Sequence, residues 1–109
     1  MRIDARLPVR FGPLASRQPD EAVLTDAATL PAGPAQRFDA VPQHAADCAC
    51  CMPRSAAALA MAALFRARVV GQGAAFRGVL AVVGPDGARA VRAALEADPL
   101  VSGRFRSST

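Results

Sequence analysis

FRGVLAVVG, residues 76–84, is the run whose reading decides the fold. Its β-branched and apolar centre reads as a strand. Asp86 and Gly87 follow as a turn into a helix expected over Ala88–Ala97, with Asp86 as its N-cap. Ala88, Val91, Ala94 and Leu95 recur at helical spacing, while Arg89, Arg92 and Glu96 share the other face, Arg92 and Glu96 being four apart. Pro99 is expected to end that helix, and the polar tail VSGRFRSST to fray, with residues 107–109 disordered.

Working back from the same strand, GQG at 71–73 stops a helix expected from Arg54 to Arg68. This stretch is rich in Ala and carries Leu59, Met61, Leu64 and Phe65. Pro53 suits its first turn and Ser55 helps to cap it. Because Ala surrounds most of it, the helix is either buried on several sides or leans on a partner. Farther back, EAVLTD at 21–26 is a short apolar run ending in turn-forming residues, which reads as a buried strand.

Between that strand and the first helix, AATLPAGPAQRFDAVPQHAAD carries Pro31, Pro34, Pro42 and Gly33 and shows neither period. It reads as a long loop, of a length that is usually functional or disordered in a compact domain. Residues 1–20, interrupted by Pro8, Pro13 and Pro19, read as an irregular N-terminal arm or edge. The order strand, loop, helix, strand, helix is that of a βαβα unit. It predicts an α/β fold with a short parallel sheet and a right-handed crossover, forming one small domain over residues 21–106.

Composition narrows the function. The chain has 109 residues, room for one modest core. Its formal charge of +4 comes from thirteen basic side chains that are all arginine, scattered from Arg2 to Arg106 without a block of like charges. No RNA-binding aromatic motif and no zinc-finger Cys/His spacing is present, so nucleic acid is not the expected partner. The longest apolar stretch, residues 56–65, is about half of what a bilayer-spanning helix needs. With no secretory leader pattern at the start, the expectation is a soluble cytoplasmic protein without a membrane partner.

All three cysteines fall within four positions of HAADCACCMPR, residues 44–54. A thiolate is a soft ligand for Zn²⁺ or Cu⁺, and Cys48, Cys50 and Cys51 can turn toward one ion if the backbone bends there. Structural zinc takes four ligands, and His44, the one histidine, is the natural fourth candidate, with Asp47, water or a partner behind it. A helix N-terminus just after the cluster favours thiolate over thiol. Two other readings compete: thiol redox chemistry, and an inert cluster of small buried side chains. Redox chemistry is weakened by the C-x-C-C spacing, which differs from C-x-x-C and makes an adjacent-cysteine disulfide strained.

The segment DCACCMPR resembles the Cys-x-Cys-Cys-x-x-Arg segment of CobW-type P-loop GTPases, a metallochaperone family, with Asp47 where that family has Gly. The likeness continues through the helix after Arg54, Phe76 opening an apolar strand, a Gly-containing turn, a helix and EADPLVSGRFR. It covers about residues 21–106. What the resemblance implies is a divalent-metal site in the cysteine loop, on part of a CobW-like layer fold. GTPase activity is not carried over. The chain has no lysine for a Walker A motif, and Val82 stands about where the family's strand-end Glu would be, so no bound nucleotide is expected.

The leading expectation is a non-enzymatic zinc-binding protein that holds or passes on metal, with Cu⁺ as the alternative ion. Arg54 is expected beside the site, where its charge would steady a tris-thiolate. A homodimer, or docking on a larger metallochaperone or client protein, could complete the ligands and cover sheet edges. The remaining alternatives are a thiol redox protein and a degenerate protein-interaction fragment of a GTPase.

Overall fold

A computed structural model describes residues 5–40, 54–71 and 75–108 of the chain. The expected α/β architecture is present, and it is larger than a two-stranded unit. Among the described residues, five strands form one parallel sheet in the order β3-β2-β4-β1-β5. They are β1 (Leu7–Phe11), β2 (Glu21–Thr25), β3 (Ala35–Arg37), β4 (Gly78–Val82) and β5 (Phe105–Ser107). Three α-helices, α1 (Ala56–Val69), α2 (Pro85–Ala97) and α3 (Pro99–Arg104), complete the order.

β4, formed by the apolar run GVLAV, lies at the centre. It pairs with β2 from Glu21↔Gly78 to Thr25↔Val82, and with β1 from Val9↔Val79 to Phe11↔Ala81. Val79, Leu80 and Ala81 are buried because both faces of a central parallel strand are covered.

The N-terminal segment differs from expectation. Residues 7–11 are not an irregular arm but an inner strand between β4 and β5. Pro8 is tolerated because the β1–β4 ladder begins only at Val9, so its missing N–H removes no hydrogen bond from that ladder. Pro13 then starts a 3₁₀ turn at Leu14–Ser16 rather than a helix. The long loop likewise contains β3, whose residues pair with Val23, Leu24 and Thr25. The tail expected to fray is ordered through Ser108: residues 101–104 belong to α3, β5 pairs with Leu7, Pro8 and Val9, and the Ser108 N–H donates to the Val9 carbonyl at 3.0 Å, so residues 107 and 108 are held by β1 rather than disordered.

The crossovers β3–α1–β4 and β4–α2–α3–β5 move in the same direction across the sheet, so right-handed connections place all three helices on one face. Leu7, Val9, Ala22, Leu24, Val79 and Ala81 meet Met61, Leu64, Val91, Val101 and Phe105 there in the main core. Ala57, Ala58 and Ala60 let α1 come close. On its outward side Leu59 and Val69 are 50% and 64% exposed, with the exposed Arg66 between them, and Val70 at the C-cap is 60% exposed. No described helix is long and apolar enough to cross a membrane.

The helix ends follow local chemistry. Ser55 caps α1 as expected, its side chain accepting the Ala58 N–H at 3.1 Å. α2 starts earlier than expected, with Gly84 as N-cap and Pro85 in the first turn, because Pro supplies a helical φ where no N–H is needed. Asp86, expected as the cap, instead sits in the first turn and pairs with Arg89 at 2.9 Å. Arg92 stacks over Phe11 at 4.2 Å to the ring centroid.

Candidate functional site

The cysteine segment leaves the described structure at Ala40 and re-enters it at Arg54. His44, Asp47, Cys48, Cys50 and Cys51 lie outside the described residues, which flank them on both sides. Upstream, Phe38 follows β3, is buried, and donates its N–H to the Thr25 carbonyl at 3.0 Å. Arg37 fixes the same corner by donating to the Ala27 carbonyl at 3.1 Å and to Asp39 at 2.9 Å.

Downstream, Arg54 lies against the joint between α2 and α3. Its Nε donates to Asp98 Oδ2 at 2.8 Å and its Nη2 to Asp98 Oδ1 at 3.1 Å, the two-pronged geometry that a guanidinium and a carboxylate favour. The side chains are 25% and 12% exposed. Oδ1 also accepts the Leu100 and Val101 N–H groups at 3.0 and 3.1 Å, which makes Asp98 the N-cap of α3. The Arg54 hydrogen bond comes first among the causes that hold the Asp98 carboxyl below its usual range; burial opposes it, and the two backbone N–H groups add to it. The Arg54 guanidinium is raised correspondingly.

Arg54, expected to neutralise thiolates, therefore has its Nε and Nη2 committed to a carboxylate. An open groove of about 420 Å³ runs beside the pair, between Arg54 and Ser55 on one side and Ala94, Ala97 and Leu100 on the other.

The carboxyl ends of β2 and β4 form a second corner, the place where open parallel sheets usually receive ligands. Here the chain fills it with its own groups. Thr25 Oγ1 donates to the Val82 carbonyl at 2.7 Å and accepts the Ala27 N–H at 3.1 Å. Asp26 Oδ2 accepts the Gly84 N–H at 3.1 Å, so a carboxylate lies at the N-terminus of α2. Gly87 has no side chain because a Cβ there would collide with that carboxylate and come within 2.9 Å of Val83 Cβ. Among the described residues, no three His, Cys, Asp or Glu side chains gather in a way that could hold a metal ion.

The Arg54–Asp98 pair was missed by sequence reasoning, since 44 residues separate the partners. In the sequence Pro99 is expected to end the preceding helix, and Asp98 enters only as part of EADPLVSGRFR. Together the two also suit an N-cap followed by a first-turn proline, which is what the structure makes of them. Comparisons of the chain with protein families, with curated proteins and with solved structures find no match.

Proposed function

We propose that the chain is a non-enzymatic zinc-binding protein, related to CobW metallochaperones, that holds or transfers metal through Cys48, Cys50 and Cys51 with His44 as the fourth donor. The observation that carries this reading is the density of soft donors: three thiols within four positions and an imidazole four residues ahead of them. Three thiolates and one imidazole match the four-ligand demand of structural zinc, and three thiolates alone suit Cu⁺. The relation to CobW proteins rests on the C-x-C-C-x-x-R segment and on the order of elements after it.

A cytoplasmic setting keeps such thiols reduced and available to metal. The non-enzymatic reading is supported by the absence of lysine and by Val82 at the end of β4, which leave no evident cradle for Mg²⁺ and nucleotide.

Zinc titration of the reduced protein against a colorimetric chelator tests the proposal. The expected outcome is one zinc per chain, abolished in the triple Cys48→Ser, Cys50→Ser, Cys51→Ser variant. Equal stoichiometry and affinity in that variant overturn the assignment. A parallel titration with Cu⁺ decides which ion the donors prefer.

A further inference from the structure

We propose that the outer side of α1 and the arginines around its last turn form a docking surface for an anionic lipid bilayer, an inference that does not depend on the metal reading. Leu59, Ala62, Ala63, Arg66, Val69 and Val70 recur at helical spacing on the side of α1 that its buried Ala57, Ala60, Met61 and Leu64 leave outward. Leu59, Val69 and Val70 are each at least half exposed. Three such side chains along one helix, with alanine between them, differ from the single apolar residues scattered over an ordinary surface.

The charge around them has one sign. From Arg54 to Pro85 the sequence holds no Asp or Glu, and from Pro99 to Ser108 none again. Arg66 is exposed between Leu59 and Val69. Arg104 lies over the ring of Phe65, one turn before Val69, at 4.5 Å to the centroid. Arg68 donates to the Phe76 carbonyl at 2.7 Å, and the exposed Arg77 follows at the start of β4. β1 alone separates β4 from β5, so Arg77 and Arg104 stand about 10 Å apart along this edge of the sheet. Asp20 adjoins the edge, its backbone carbonyl accepting the Arg77 N–H at 2.7 Å, and leaves arginine in excess. The helix dipole gives a reason for Arg66 and Arg68 at the end of α1, but none for Arg77.

A cationic surface with apolar side chains set in it suits a bilayer with anionic headgroups. The guanidinium groups meet phosphates while the valines enter the interface, and Arg66 keeps its head among the phosphates with its stem against the acyl chains. A second copy of the chain does not fit, because a two-fold contact across this face sets Arg66 against Arg66. A protein partner anchors large side chains in pockets, and the grooves of this fold beside Ala94 and beside Val23 do not border these residues. Nucleic acid engages arginines through its phosphates but gives the valines no apolar contact. The sequence expectation of no membrane partner rests on the lack of a spanning stretch, and lying on a bilayer surface needs none.

Co-sedimentation with vesicles tests the surface, using the full reduced chain in excess chelator so that no metal contributes. The expected outcome is binding to vesicles of equal parts phosphatidylcholine and phosphatidylglycerol, none to phosphatidylcholine alone, and a large loss at about 1 M salt, where charges are screened beyond about 3 Å. Arg66→Gln with Arg77→Gln is expected to weaken binding about twenty-fivefold, at about fivefold for each charge near an anionic surface. Val69→Ser with Val70→Ser is expected to weaken it about tenfold. All four side chains are exposed, so both double variants are expected to unfold at the wild-type temperature. No binding to the mixed vesicles, or binding that either pair leaves unchanged, overturns the proposal. Tighter binding of poly-glutamate or of a DNA duplex, needing the arginine pair but not the valine pair, marks a surface for another polyanion and likewise overturns it.

Discussion

The two faces of the sheet are closed by different means. On the helix face, Leu7, Val9, Ala22, Leu24, Val79 and Ala81 pack against side chains from all three helices. The opposite face carries Arg10, Glu21, Val23, Thr25, Leu80 and Val82, as the registers Arg10↔Leu80, Val23↔Leu80 and Thr25↔Val82 require. No helix covers it. The connection through the 3₁₀ turn at Leu14–Ser16 folds back over it, and Arg10 joins that connection to the sheet.

Arg10 donates to both Glu21 carboxylate oxygens, at 2.6 and 2.7 Å, and to the Ser16 carbonyl at 2.6 Å. Arg17 reaches the carbonyls of Glu21, Ala32 and Pro34. Beside this polar lattice, Leu14, Val23, Leu30 and Val82 border a groove of about 210 Å³, with Leu14 44% and Leu30 51% exposed. One face is held by apolar contact, the other largely by fixed charges and carbonyls. A sheet face without a helix can still keep Val23 and Leu80 dry when an arginine ties a short loop down over it.

Core truncation should separate the faces most strongly. Leu24→Ala, on the helix face, is expected to cost about 4 kcal/mol in urea unfolding, since helices on a packed sheet collapse poorly into a void. Leu80→Ala is expected to cost about 2 kcal/mol, because the loop above it can settle inward. Equal losses would show that the thin covering is as rigid as the helical one, and the comparison would fail.

Acid titration sharpens the contrast next. The Arg10 hydrogen bond comes first among the causes that hold the Glu21 carboxyl below its usual range, ahead of the opposing burial and the further help of the Gln18 N–H and of Arg17. A lowered folded value means that the contribution is complete above the ordinary carboxylate value of about 4 and fades as pH falls toward the folded one. Glu21→Gln is therefore expected to be less stable than wild type at neutral pH and to approach it in acid. A gap that stays constant between pH 7 and pH 2 would show that the pair does not close this face. The smallest effect belongs to the helix side: Ser55→Ala removes one cap and is expected to cost about 1 kcal/mol in thermal unfolding, with the fold intact.

The elements foreseen from the sequence are those whose own residues make them stable or continuous. VLAVV needs no neighbour to read as a strand, and the Ala-rich run with Ser55 ahead of it needs none to read as a helix. β1, β3 and β5 were missed because their residues say little in isolation. Leu-Pro-Val-Arg-Phe contains a proline, while Ala-Gln-Arg and Phe-Arg-Ser are three residues long and mostly polar. Each becomes a strand because β4, β2 or β1 already presents a ladder to it. The donors of the proposed site were visible at once, as a local cluster. The partner of Arg54 was not, because Asp98 is brought to it only when α2 has run its length along α1.

By itself the sequence determined the α/β class, the central strand, two helices and the crowding of soft donors into one short segment, all properties that neighbouring residues settle among themselves. Tertiary structure decided which face receives the helices, which proline-bearing segment becomes an inner strand, and which carboxylate holds Arg54. Those choices depend on groups far apart in the chain, whose hydrogen bonds and buried contacts exist only once the sheet has brought them together.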